Sequence, residues 1–187
     1  CIRDRKLSSA IKRTANVSAN VSNALSLLQV QAGSLKSAAS VLDRISELVT
    51  LSGDVTKTTA DTDNYNTEYK NLVQEIGKLS ADTFNGTSLF CTGTVGSLTV
   101  YLASDSTLNM DISQGLLWDQ MGAISDTTKN ITDIKVSDVT AAVQNLATLM
   151  ATNGAQSSRI QFAIDSLNSN QVNLEASLSR IYDVDVA

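Results

Sequence analysis

Val17, Val21, Ala24, Leu28, Gln31, Leu35, Ala38, Leu42, Ile45 and Val49 recur in alternating steps of four and three, with Gln31 the one polar member. Such steps place all of them on one face of a helix, as in a coiled-coil seam. Leu25, Ala32 and Ala39 form a second apolar row, which predicts a helix touching more than one partner. The helix is expected to stop near "LSGDV", with Gly53 as the break. A second, shorter helix is predicted by Tyr65, Tyr69, Leu72, Ile76 and Leu79, its start capped by Asp61 or Asp63. The third pattern is the longest: Val139, Val143, Leu146, Met150, Asn153, Ser157, Ile160, Ile164, Leu167, Gln171, Leu174, Leu178 and Ile181. Ser137 or Asp138 is its expected N-cap. Gly154 weakens a helix by about 1 kcal/mol relative to Ala. The rhythm resumes in phase beyond it, so one continuous helix is predicted.

At the rise of an α-helix the third element would be roughly 65–70 Å long and the first about 55 Å. A compact chain of this size is only about 40 Å across. The expectation is therefore an elongated, mainly α, antiparallel bundle of two long helices and one shorter one. Between them, "SLTVYLA" alternates Leu98, Val100 and Leu102 with Thr99, Tyr101 and Ala103, and "TLNMDIS" alternates Leu108, Met110 and Ile112 with Asn109 and Asp111. The pair reads as one small β-hairpin joined by the turn-like "SDS". Residues 114–136 are expected to be irregular or to hold a short helix, with Trp118 packed over the hairpin. "FNGTSLF" contains the turn signal Asn-Gly, expected to close the second helix with Phe84 and Phe90 pinning the turn.

Composition supports long helices, because the chain of 187 residues has no proline and only 9 glycines. A net charge of −5 without any basic stripe excludes binding to a phosphate backbone. No apolar run approaches the roughly 20 residues needed to cross a bilayer. The absence of histidine removes the usual general base and metal ligand. Asp61 with Asp63, and Asp183 with Asp185, are paired acids that could in principle serve as acid and base or hold a hard cation. The first pair sits at a helix start, where acids suit the dipole, and the second is two apart on a helix and diverges. No catalytic, cofactor or metal site is assigned. Cys1 and Cys91 are too few for a disulfide framework, and the helices carry them too far apart to bond, so two free thiols are expected. Asn16, Asn20, Asn85 and Asn130 begin N-x-Ser/Thr triplets of a kind that arises by chance in an Asn- and Ser-rich chain.

Four phrases, in order, resemble bacterial flagellin. "NVSNALSLLQVQAGSLKSAASVLDRISELVTLS" looks like the first long helix of the flagellin rod domain. "DTFNGTSLF" resembles the close of that domain's second helix, and "LTVYLASDSTLNMDI" is similar to its hairpin. "NGAQSSRIQFAIDSLNSNQVNLEASLSRIYDVDVA" looks like the returning C-terminal helix. The resemblance runs from about Leu7 to Ala187, outside residues 114–136. It implies a single rod-like domain: residues 1–96 as N-terminal helices and turn, 97–113 as hairpin, 114–136 as a reduced variable insert, and 137–187 as the long C-terminal helix. It also implies that the terminal assembly segments of flagellins are missing here, so that the piece by itself is expected to be a monomer.

The function so implied is a non-enzymatic structural subunit of the extracellular flagellar filament, secreted and polymerised by contacts that do not close, to make a motility propeller. The implied partners are other flagellin subunits, an export chaperone, the filament cap and an innate immune receptor of the Toll-like class, with neither nucleic acid nor membrane among them. The receptor motif of many flagellins maps onto Arg44, Leu48 and Glu68, with Ser46 where a second Arg is common. Those three residues are the candidate receptor or subunit-contact surface. No cofactor is implied. Two other readings stand beside this one: a hook–filament junction protein, and a helical adhesin or ligand-binding module using the hairpin side around Trp118.

Overall fold

The computed structural model describes residues 2–103 and 107–185, and side chains from Arg5 to Ile181 outside the gap. Cys1, the "SDS" turn and the side chains of Asp183 and Asp185 lie outside the described residues. In chain order the elements are α1 (Ile2–Ser52), α2 (Thr59–Ser80), β1 (Thr83–Phe84), β2 (Thr87–Ser88), β3 (Gly96–Tyr101), β4 (Asn109–Gln114), α3 (Leu117–Gln120), two 3-10 turns (Gly122–Ser125 and Ile131–Asp133) and α4 (Val136–Asp185). The class is mainly α, with two long helices and a shorter one. Two two-stranded ribbons are present, β1-β2 and β3-β4, where one was expected.

The long helices tolerate many Ser and Thr residues because their hydroxyls bond back to the carbonyl four residues earlier, as Ser22 does to Ser18, Thr50 to Ser46 and Thr148 to Gln144. α1 ends at Ser52 as the pattern predicts, but Gly53 does not adopt a left-handed conformation. Instead the Asp54 carboxylate accepts from the Thr56 N–H and hydroxyl and turns the chain. The cap of α2 is Thr58 rather than Asp61 or Asp63. Asp61 is the reciprocal half of a capping box, accepting from the Thr58 N–H while the Thr58 hydroxyl accepts from the Asp61 N–H. At α4, Asp138 sits inside the first turn and accepts from the Lys135 N–H.

The chain forms two compact units. One comprises Cys1–Gln29, Ser97–Ile112 and Ala155–Ala187. Its core holds Val21, Ala24, Leu27 and Leu28 from α1, Met110 and Ile112 from β4, and Ile160 and Leu167 from α4. The alternation read in the sequence is seen directly, since Met110 and Ile112 are buried while Asn109 and Asp111 face out. Across the ribbon, the Thr99 hydroxyl lies 2.7 Å from Asp111 Oδ1. Leu108, expected on the apolar face, is exposed.

The other unit comprises Val30–Gly96 and Ser113–Gly154. α1 contributes Leu35, Ala38, Leu42, Ile45, Leu48 and Val49 to its core, and α2 contributes Tyr69, Val73 and Ile76. Of the expected second row on α1, Ala32 is exposed here and Ala39 half-buried; Ser34, Val41 and Leu48 widen the stripe instead. On α4, Val139, Leu146 and Asn153 are buried as predicted, yet Val143 is 42% and Met150 40% exposed. The buried face includes Ala142 in place of Val143, and Leu149 approaches Gly115 so closely that a Cβ there would stand 2.6 Å from its Cδ2. Trp118 packs on α2 at Gly77, where a Cβ would lie 3.3 Å from the indole ring. The Asn85-Gly86 turn is itself a ribbon, β1-β2, pairing Thr83 with Ser88 and Phe84 with Thr87. Its two loop residues have φ of 49° and 79°, the left-handed pair that a two-residue hairpin requires.

Candidate functional site

Within this unit α1 and α2 run antiparallel, so that Ser34 meets Asp82 and Arg44 meets Glu68. Ile45, Leu48 and Val49 turn inward on α1, as do Tyr69, Val73 and Ile76 on α2. Arg44 and Glu68 are therefore left at the two lips of the interhelical contact. The guanidinium fork engages Glu68 through Nε to Oε1 at 2.6 Å and Nη2 to Oε2 at 3.1 Å. Its third nitrogen, Nη1, reaches Glu47 Oε2 at 2.8 Å, one helical turn along α1. The hydrogen bond from Arg44 lowers the Glu68 pKa. Glu68 and then Glu47 raise that of Arg44. One cation is thus held between two carboxylates, and the cluster keeps a surplus negative charge. The Arg44 and Glu68 side chains are 44% and 41% exposed, so the ion pairs add little to stability and are accessible to an approaching surface.

Leu48 is placed differently. Its side chain is 0% exposed, so it presents nothing to a partner and belongs to the core beneath the cluster. Glu47, absent from the expected set, is the residue that completes the constellation; its three-residue spacing from Arg44 was the available signal. Behind Glu68 lies Tyr69, whose hydroxyl donates to the Ile124 carbonyl at 3.3 Å. Burial, aided by Asp126 and Asp133, pushes its pKa up to about 12. Asn66 ties the same helix to the second 3-10 turn, donating to Asn130 Oδ1 and accepting from the Ile131 N–H.

A second constellation joins the polar residues that interrupt the two long seams. Asn153 Nδ2 donates to Gln31 Oε1 at 2.7 Å, and Gln31 Nε2 donates to the carbonyls of Leu89 at 2.8 Å and Ser113 at 3.3 Å. Both side chains are buried. The network fastens α1, α4, the chain after β2 and the end of β4 in one register, a common use of a single polar pair in a helical seam. Among the described residues no three His, Cys, Asp or Glu side chains are grouped to hold a metal ion. No described helix is long and apolar enough to cross a membrane.

The profile of the bacterial flagellin N-terminal helical region matches residues 2–94, which hold α1, α2 and the first ribbon. That of the bacterial flagellin C-terminal helical region matches residues 136–187, which hold α4. The chain belongs to the bacterial flagellin family. A flagellin from Halalkalibacterium halodurans is 25% identical over 97% of this chain and 69% of its own length. Among solved structures, Bacillus cereus flagellin shares the fold with a TM-score of 0.69 at 23% identity, over 86% of this chain and 94% of that one. A protein described as flagellar hook-associated, from Vibrio parahaemolyticus, has a TM-score of 0.80 at 14% identity, over 96% of each chain. The flagellin family is structural and non-enzymatic: its members self-assemble into the filament of the bacterial flagellum, which is extracellular. This flagellin-family chain is accordingly a flagellar filament subunit.

Proposed function

We propose that copies of this flagellin-family chain join through heterologous contacts that repeat without closing, which yields a helical filament, and that the Arg44–Glu47–Glu68 cluster is one contact surface. The observation that carries this is the cluster's state. It is assembled from two helices, held in a fixed fork geometry, partly open to solvent and left with an uncompensated carboxylate. A neighbouring cation satisfies that charge. On this reading residues 114–136, all but the last of which fall between the two matched regions, are a reduced variable insert in one rod-like domain. The same cluster is the surface that a Toll-like receptor engages, and Leu48 supports it from the core. The export chaperone and filament cap are further partners in this reading. The fold shared with the hook-associated protein favours a second reading, a hook–filament junction protein.

The test places variants in the flagellin gene of the host cell. Arg44→Glu should shorten filaments and reduce swimming. The swap Arg44→Glu with Glu68→Arg rebuilds the pair across α1 and α2 with reversed polarity, and should remain defective. Full recovery in the swap would show that Arg44 serves only to tie α1 to α2. Antibody labelling along the whole filament supports the filament subunit; labelling confined to its base supports the junction reading. In receptor reporter cells Arg44→Ala should give a weaker signal than the parent, and an equal signal ends the receptor assignment.

A further inference from the structure

The chain contains the dipeptide Asn-Gly twice, at Asn85-Gly86 and Asn153-Gly154. The two sit in opposite environments. Asn85 is exposed at the tip of the β1-β2 ribbon, and among the described residues nothing hydrogen-bonds its carboxamide. A Cβ placed on Gly86 would meet nothing within 4 Å, so the space around this peptide unit is open. Asn153 is buried inside α4 with its carboxamide committed to Gln31 at 2.7 Å. We propose that Asn85 is a site of spontaneous deamidation in the folded protein, and that the fold protects Asn153 from the same chemistry.

The reaction needs only water. The Gly86 N–H gives its proton to a solvent base, and the nitrogen bonds to Cγ of Asn85. The bond from Cγ to the carboxamide nitrogen breaks and ammonia departs, leaving a cyclic imide. Water then opens either imide carbonyl. Opening at the backbone carbonyl moves the main chain through the side-chain carbon and gives isoaspartate; opening at Cγ gives aspartate. No electrons are exchanged with an outside reagent. Glycine is the favourable follower because it puts no side chain in the path of the attacking nitrogen.

The two products differ in consequence. Aspartate at position 85 adds a charge at an exposed tip and leaves the pairing of Phe84 with Thr87 in place. Isoaspartate adds a backbone carbon to a two-residue turn whose geometry sets the register of the ribbon. That ribbon leads directly into Ser88 and Leu89, whose carbonyls accept from the buried side chains of Gln114 and Gln31. Isoaspartate therefore disturbs the amide network that joins α1 and α4, whereas aspartate spares it.

The experiment ages the purified chain in mildly alkaline buffer and follows each asparagine by peptide mapping with fragment-level mass spectrometry, beside an identical sample in concentrated urea. Asn16, exposed and followed by Val17, is the reference for an ordinary site. In the folded protein Asn85 should convert more than about tenfold faster than Asn153, because reaction at Asn153 must wait for local opening of α4. In urea the two Asn-Gly sites should converge. Equal folded-state rates at Asn85 and Asn153 would overturn the proposal, as would an Asn85 rate no greater than that of Asn16.

Discussion

Replacing Gln31 by leucine keeps a side chain of similar size at the seam but removes three hydrogen bonds from the second unit. These are the bond accepted from Asn153 at 2.7 Å and those donated to Leu89 at 2.8 Å and Ser113 at 3.3 Å. A buried polar group deprived of its partner costs about 1–3 kcal/mol. The Ser113 bond is long and counts for little. The two short ones together put the loss at about 2–6 kcal/mol. Burying the leucine side chain returns about 1 kcal/mol. The expected destabilisation is about 1–5 kcal/mol. Asn153→Leu breaks the Asn153–Gln31 bond and leaves Gln31 bonded to Leu89, so it too should destabilise, by about 1–3 kcal/mol. The double variant must cost less than the sum of the two, since that bond is lost only once; the shortfall should be about 1–2 kcal/mol. It should still be less stable than the parent, because the Leu89 carbonyl lacks its donor in both Gln31 variants. Urea unfolding followed by Trp118 fluorescence reads this unit directly, as Trp118 is the one tryptophan and lies within it. A Gln31→Leu variant within about 0.5 kcal/mol of the parent, or single effects that simply add, would refute a shared stabilising network.

Two further outcomes follow from close packing and burial. Gly96→Ala would set a Cβ 2.5 Å from Gln114 Oε1 and 2.6 Å from Cys91 Sγ. Gln114 is anchored by the Ser88 carbonyl and cannot swing away freely, so the variant should lose about 1–3 kcal/mol in urea unfolding. Tyr69, raised from 10.0 to about 12, favours its neutral form in the folded state. Its contribution is intact below the unfolded value of 10.0 and is lost as pH rises toward 12, where the unfolded chain has already released its proton. Stability should fall over that interval by about 1.4 kcal/mol per pH unit, and Tyr69→Phe should remove that slope.

Much of this molecule was legible in one dimension because periodicity reports which residues share a face. The α1 seam from Val21 to Val49 is buried throughout, including its polar member Gln31. α4 does run unbroken through Gly154, and β4 buries Met110 and Ile112. Periodicity fails where the choice is between two neighbouring faces. Steps of three and four are equally helical, so the pattern could not say that Ala142 rather than Val143 turns inward. That is decided by the approach of α4 to Gly115, remote in sequence. The candidate site shows the same division. Arg44 and Glu68 were marked by the resemblance to flagellins, but their fork, the part played by Glu47 and the burial of Leu48 depend on how α2 lies against α1.

What the amino-acid order determined alone was local: long helices without proline, their apolar stripes, a turn at Asn85-Gly86, and the absence of histidine chemistry. Only the tertiary structure decided partnership. Two polar interruptions, 122 positions apart, became one hydrogen bond, and the tryptophan of the short helix α3 found a glycine on α2. Side-chain spacing sets the direction in which a residue faces, whereas its energy depends on what it meets there.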